Sequence, residues 1–153
     1  MGMPSVPHVI EMQAMRAIAA FFTESGYTEA WVEEQGFTAT PWRGSRQRAV
    51  LEHKVPLATP LHVLVRLFYF GEAVDGEAVS AQVPESVRDG MLRCGMVARR
   101  ETTFVPGCSL APFDGTLLAY DSVRHAADAG DLVLGVNLPT RLLSNCLMMS
   151  SIR

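Results

Sequence analysis

Charged residues are scarce in this chain: Asp, Glu, Lys and Arg make up only 19% of its 153 residues, whereas 48% are apolar. A typical domain carries about 25% charged residues, so we expect some apolar surface here to contact a partner. No apolar run reaches the ~18 residues of a membrane-spanning helix, and residues 1–7 lack the basic cluster of a signal peptide. These absences predict a cytoplasmic chain with no membrane partner.

Signatures of metal and nucleotide sites are also missing. Cys94, Cys108 and Cys146 are widely spaced without a Cys-x-x-Cys pair, which predicts reduced thiols. Cys108 follows a Pro-Gly turn, but no base accompanies it, so an ordinary loop or strand cysteine is a better interpretation than a nucleophile. The four histidines are isolated from one another and from other ligands at zinc spacing, and neither Gly-x-Gly-x-x-Gly nor Gly-x-x-x-x-Gly-Lys-Ser/Thr occurs. We therefore predict no metal site, no catalytic residue and no nucleotide-binding loop.

The clearest helix signal lies in residues 59–71. Thr59 is suited to cap the helix, Pro60 to occupy its first position, and Gly71 to end it in the left-handed conformation. Apolar residues lie on nearly every face between these ends, with His62 and Arg66 at the one polar edge. This pattern predicts a central helix surrounded by protein.

Two shorter helices and a β-ribbon follow. Asp75 begins a pattern that Pro84 would end, and a third helical pattern runs from Glu85 until Gly95. The period then changes from helical to two, which is typical of strands. The predicted extended segments are 96–100, 102–105 and 116–120, with a turn at 112–115. Three helices followed by a ribbon predict a winged helix.

Two further helices are predicted before this unit. The first spans residues 8–25, because apolar side chains recur at three- and four-residue spacings; the second, residues 29–35, is capped by Thr28. The apolar face of the first comprises Val9, Met12, Met15, Ile18, Ala19 and Phe22. The predicted fold is therefore α+β and mainly helical: a winged-helix-like domain over residues 1–130 with two extra N-terminal helices and a small antiparallel β-ribbon.

The charge distribution is unfavourable for DNA recognition. A winged DNA reader places its third helix in the major groove and its wing on phosphate, so both should be basic. Residues 85–101 contain four arginines and three carboxylates, a surplus of only one positive charge, and the whole chain carries −3. The densest basic cluster, Arg43, Arg46, Arg48 and Lys54, is better explained as a solvated helix face. Specific nucleic acid is therefore not an expected partner.

Residues 131–153 form a second region, predicted as a strand at 132–137 and a short helix from Pro139. Eleven of these residues are aliphatic or methionine, and only Asp131, Arg141 and Arg153 are charged. Burying all of them in one small domain is difficult, so we expect the chain to self-associate or to pack this segment against a neighbour.

Several runs together resemble the N-terminal domain of bacterial class I S-adenosylmethionine-dependent methyltransferases, akin to the release-factor-glutamine type. The resemblance covers roughly residues 8–153 and is strongest at 57–74 and 131–143; the runs that carry it are Leu57-Ala-Thr-Pro-Leu61, Leu64-Val-Arg-Leu-Phe68, Gly71-Glu-Ala-Val74, Gly95-Met-Val97, Leu118-Ala-Tyr-Asp-Ser122, Val133-Leu-Gly-Val136 and Thr140-Arg-Leu-Leu143. It implies a catalytic Rossmann-like domain in cis, so residues 131–153 would be a linker towards that domain.

The resemblance also defines what this chain lacks. Neither the Asp-x-Gly-x-Gly loop that binds the cofactor nor the Asn-Pro-Pro-Tyr catalytic motif occurs, so we expect an N-terminal fragment that is inactive alone. Asn137 and Thr140 are the candidate contacts to S-adenosylmethionine in the presumed longer protein. The alternative is that Asn137 caps the helix from Pro139 and that Thr140 is a solvated residue of its first turn.

Three functions remain open from the sequence. The first is an accessory substrate-recognition or scaffolding domain of a methyltransferase. The second is a winged-helix regulator that binds nucleic acid, and the third is a protein-interaction domain without a small-molecule ligand.

Overall fold

The computed structural model describes residues 12–36 and 53–120. Five helices lie in these ranges, and the third of them continues directly into a π-helical turn, Val65–Tyr69. The helices are α1 Met12–Glu24, α2 Glu29–Glu34, α3 Pro60–Leu64, α4 Gly76–Gln82 and α5 Glu85–Arg93. The strands are β1 Val74–Asp75, β2 Val97–Arg100, β3 Thr103–Pro106, β4 Ser109–Phe113 and β5 Thr116–Tyr120.

The predicted α+β class is confirmed. The π turn after α3, together with α4 and α5, packs on an antiparallel sheet of order β1–β3–β2, in which Val74 pairs with Phe104 and Val97 pairs with Pro106. This is the winged-helix arrangement. The sequence did not predict β1, because two residues are too short to show a period and the strand is defined only by its pairing with β3.

Helix α3 is the centre of the core. The Thr59 Oγ1 accepts a hydrogen bond from the His62 N–H at 3.2 Å, and Gly71 has a φ of +65°, so both predicted ends are confirmed. The side chains of five residues in and after α3 are completely buried: Val63, Leu64, Val65, Leu67 and Phe68. The sequence did not predict that the helix widens into a π turn, in which the Phe70 N–H donates to the Val65 carbonyl at 3.0 Å.

Both early helices pack on the winged unit, as predicted. The Phe22 ring of α1 lies 5.2 Å from Tyr27 and 5.4 Å from Phe68, measured between ring centroids. The predicted apolar face of α1 is partly wrong, because Met12 and Ala19 are exposed. Ala14, Met15 and Phe21 pack partly buried against the core beside Ile18 and Phe22, so contact with α5 and with the π turn shifts the buried face from the predicted one.

The last described element is the β4–β5 hairpin. Its turn contains only Asp114 and Gly115, with φ values of +48° and +73°, as a two-residue type I′ turn requires. The sequence had assigned Pro112 and Phe113 to this turn, whereas both continue β4 and pair with β5. Side-chain bonds fix the hairpin to the helices: the Tyr27 hydroxyl donates to the Leu110 carbonyl at 2.7 Å, and a Glu29 carboxylate oxygen accepts the Asp114 N–H at 3.0 Å.

Candidate functional site

The two candidate cofactor contacts, Asn137 and Thr140, lie outside the described residues, as do residues 131–153 as a whole. Three of the four residues in the basic cluster, Arg43, Arg46 and Arg48, also lie outside them. The fourth, Lys54, is exposed, and its Nζ donates to the Gln35 carbonyl at 3.3 Å. Lys54 therefore links the start of the second described range to the end of α2.

The surface that a winged DNA reader would use is short of positive charge. Helix α1 packs over α5 at Gly90, which lies beneath Ala14 and Ile18. The exposed face of α5 presents two carboxylates and one guanidinium, from Glu85, Asp89 and Arg93. Helix α5 is therefore poorly suited to enter a negatively charged groove.

The wing is also poorly suited to contact DNA, because it is short. Only residues 101–102 connect β2 with β3, and Glu101 has a φ of +52°, so the wing is a tight turn. Arg99 and Arg100 are exposed on β2, but consecutive strand residues point to opposite faces of a sheet. Their two charges are therefore not concentrated on one surface that could follow a phosphate backbone.

One largely buried ion pair lies at the polar edge of α3. The Arg66 Nε donates to the Glu72 carboxylate at 2.6 Å, and the side chains of these residues are only 12% and 15% exposed. The Arg66 Nη1 also donates to the Val55 carbonyl at 3.3 Å. This guanidinium is thus engaged within the protein, so its role is to hold the α3 region together rather than to bind an anion.

His62 lies one turn before Arg66 beside an aromatic ring. Its ring centroid is 6.4 Å from that of Trp31, and its buried Nδ1 has no hydrogen-bond partner among the residues that the structure describes. Leu57 and Leu61, which are close to His62 in the sequence, are half-buried against the core. In residues 12–36 and 53–120, no three His, Cys, Asp or Glu side chains form a group that could hold a metal ion. The imidazole therefore has no visible catalytic or metal-binding partners there.

A second polar cluster lies under the β4–β5 hairpin. Tyr27, Tyr120, Cys108 and Ser109 are buried together there, with Tyr69 close enough to affect Tyr27. Burial raises the pKa of Tyr27 well above its usual value, and Tyr120, Tyr69 and Cys108 add to this effect in that order. Burial also raises the pKa of Tyr120, which a hydrogen bond with Ser109 partly offsets. Both phenols are therefore neutral near pH 7 and unsuited to act as bases there.

Cys94 and Cys108 are both buried as free thiols, whereas Cys146 lies outside the described residues. Burial in a tyrosine-rich cluster favours the structural interpretation of Cys108 over the nucleophilic one, because reactive thiols occupy partly exposed, electropositive surroundings. No pattern in the sequence indicates this cluster, since Tyr27 and Leu110 are 83 positions apart. None of the helices in the described ranges is both long enough and apolar enough to span a bilayer.

Residues 19–107 match a protein family described as a domain of unknown function, DUF7059. The chain belongs to this family. The DUF7059 segment begins within α1 and ends just after β3, so it contains α2, the three winged helices and their sheet. The β4–β5 hairpin lies beyond it. No curated protein and no solved structure matches the chain.

Proposed function

We propose that this DUF7059 chain is an accessory substrate-recognition or scaffolding domain of an S-adenosylmethionine-dependent methyltransferase, and that it is not catalytic by itself. The observation that carries this proposal is that the main polar interactions of the described residues serve to stabilise the fold. The ion pair of Arg66 and Glu72, the bond from Tyr27 to Leu110 and the caps at Thr59 and Asp75 all stabilise the fold. A supporting domain needs a rigid framework of this kind rather than a reactive centre.

The methyltransferase part of the proposal is supported by the resemblance at residues 57–74. This run includes α3, its π turn and β1, and thus forms the centre of the winged unit. The resemblance accordingly falls on residues that determine the fold of the domain, which is what a shared accessory domain requires.

The partner that follows from this proposal is a C-terminal Rossmann-like domain of the same polypeptide, which would bind S-adenosylmethionine. Asn137 and Thr140 remain the proposed contacts to that cofactor. The location proposed for the assembly is the cytoplasm. The methyl acceptor would be held jointly by the two domains.

Two measurements test the proposal. Reading the coding sequence beyond Arg153 should reveal an Asp-x-Gly-x-Gly run within about twenty residues, the loop that holds the cofactor in Rossmann-like domains. Calorimetric titration of S-adenosylmethionine should give no isotherm with residues 1–153 and a one-to-one isotherm with the longer protein. A stop codon in place of the loop, or clear binding by residues 1–153 alone, would refute the proposal.

A protein-interaction domain without a small-molecule ligand is the second candidate. The specific observation in its favour is the exposure of β5, where Thr116, Leu118 and Ala119 are all exposed. A nucleic-acid-binding regulator has weaker support, because the exposed face of α5 carries two carboxylates and only one guanidinium.

A further inference from the structure

The two outer edges of the β4–β5 hairpin differ in their hydrogen-bonding capacity. Opposed residues in an antiparallel pair alternate between those that exchange backbone hydrogen bonds and those whose backbone groups point outward. Leu110 faces Ala119, and the Leu110 carbonyl bonds the Tyr27 hydroxyl, so Leu110 and Ala119 form an outward-pointing pair. By the same alternation, Pro112 and Leu117 form the other outward-pointing pair.

The outer edge of β4 is closed to a further strand. Its Leu110 carbonyl is occupied by Tyr27, and Pro112 has no N–H to donate. Glu29 binds the Asp114 N–H at the tip of the hairpin, which keeps this edge against the helices. Proline at an outward-pointing position is a common protection of an edge strand.

The outer edge of β5 has no such protection. The N–H and C=O groups of Leu117 and Ala119 point away from β4, and neither residue is bonded to another described element. Thr116 and Ala119 are exposed, Leu118 is 36% exposed, and β5 contains no charged residue or proline. A two-stranded hairpin is marginally stable alone, and an uncharged open edge favours the addition of a strand.

We infer that the outer edge of β5 is the docking site for residues 132–136 of the same chain, which add to the hairpin as a third, antiparallel strand. This run, Leu-Val-Leu-Gly-Val, contains no charge and has the same length of five residues as β5. Its sequence predicts a strand. It follows Tyr120 after eleven residues, most of them small or polar, which is long enough for the chain to reverse direction.

The short connection favours this occupant over a second copy of the chain. A connection of about ten residues holds its two ends at an effective concentration on the order of mM. A second copy at micromolar concentration would compete at a disadvantage of about a thousandfold if its contacts were equal. The inference does not depend on the methyltransferase proposal, since it concerns only how this chain covers its own sheet edge.

Amide hydrogen exchange measured by NMR on the full chain tests the inference residue by residue. The Thr116 and Leu118 N–H groups face β4 and should exchange slowly in every case, so they serve as internal references. The Leu117 and Ala119 N–H groups face outward and should exchange slowly only if the third strand is present. We expect the Leu117 and Ala119 amides to exchange at least about tenfold more slowly than they would without the third strand, and this slowing should not depend on protein concentration.

Two proline variants make the test specific. Val133→Pro should remove the protection of Leu117 and Ala119 while Thr116 and Leu118 stay protected; Ala127→Pro, in the connecting residues, is the matched control and should change none of them. Ala119→Pro places a proline at an outward-pointing position of β5, as Pro112 does on β4. It should therefore leave the hairpin intact and speed the amide exchange of Leu117. Rapid exchange of Leu117 and Ala119 in the unmodified chain would overturn the inference. Protection that grows with protein concentration and survives Val133→Pro would assign the edge to a second copy instead.

Discussion

Arg66 and Glu72 are joined twice across the end of the π turn. The guanidinium of Arg66 donates to the Glu72 carboxylate at 2.6 Å, and the backbone carbonyl of Arg66 accepts the Glu72 N–H at 2.9 Å. They are six positions apart, a spacing beyond the reach of an ordinary α-helical bond. The side-chain pair thus stabilises the geometry by which the central helix ends and the chain turns towards β1.

Glu72→Ala should lower the free energy of unfolding by about 2–3 kcal/mol, because it leaves a largely buried guanidinium without its anionic partner. Adding Arg66→Met should recover part of that loss, since no buried charge then remains unpaired. Urea denaturation of the two single variants and the double variant measures the coupling. Additive losses would show that the pair is not coupled.

Two buried or half-buried glycines should respond oppositely to alanine. A Cβ on Gly107 would lie 2.5 Å from the Gly95 carbonyl oxygen, a backbone atom that cannot move aside easily, so Gly107→Ala should cost about 1–3 kcal/mol. A Cβ on Gly90 would meet Ile18 and Ala14 at 3.5 and 3.6 Å, which are ordinary contacts. Gly90→Ala should therefore be neutral or stabilise α5 by up to about 1 kcal/mol. Urea midpoints of both variants test this, and equal destabilisation would contradict the packing described for α1 on α5.

Stability should fall as pH rises above about 10, the unperturbed pKa of tyrosine. The folded state raises the pKa of Tyr27, so the unfolded chain releases its proton first, and the stabilisation present below pH 10 is lost as pH approaches the folded pKa. Tyr27→Phe should lose about 1 kcal/mol at pH 8 through the missing bond to Leu110. It should also weaken the decline above pH 10. Urea denaturation at several pH values measures both effects, and identical slopes for the two proteins would exclude a contribution from Tyr27.

Binding to duplex DNA should be weak and without sequence preference, because residues 85–101 carry a surplus of only one positive charge. Fluorescence anisotropy with two unrelated duplexes should give similar affinities that decline together as salt is raised. Arg99→Ala combined with Arg100→Ala, which removes the exposed charges of β2, should reduce whatever binding is present. Tight and selective binding at ~0.15 M salt would support the regulator instead.

Local chemistry explains which parts of the fold were predictable. Thr59 and Asp75 cap their helices through their own side chains, and the Asp114-Gly115 pair forms its turn through backbone conformations that these residues tolerate. The candidate site was less predictable. The charge of the α5 region follows from composition alone, but the packing of α1 against one side of α5 depends on a contact between distant segments.

The sequence by itself therefore determined the two ends of the central helical segment at Thr59 and Gly71, the α+β class and the low positive charge of the winged elements, because each depends on neighbouring residues or on composition. Only the tertiary structure decided that β1 pairs with β3, that Arg66 binds Glu72 across a π turn, and that Tyr27 holds the outer edge of β4 through Leu110. Those contacts depend on how the chain packs around the core, and a bond between residues 83 positions apart leaves no periodic trace in the sequence. The same packing closes only the β4 side of the hairpin, so within residues 12–36 and 53–120 no element pairs with the outer edge of β5.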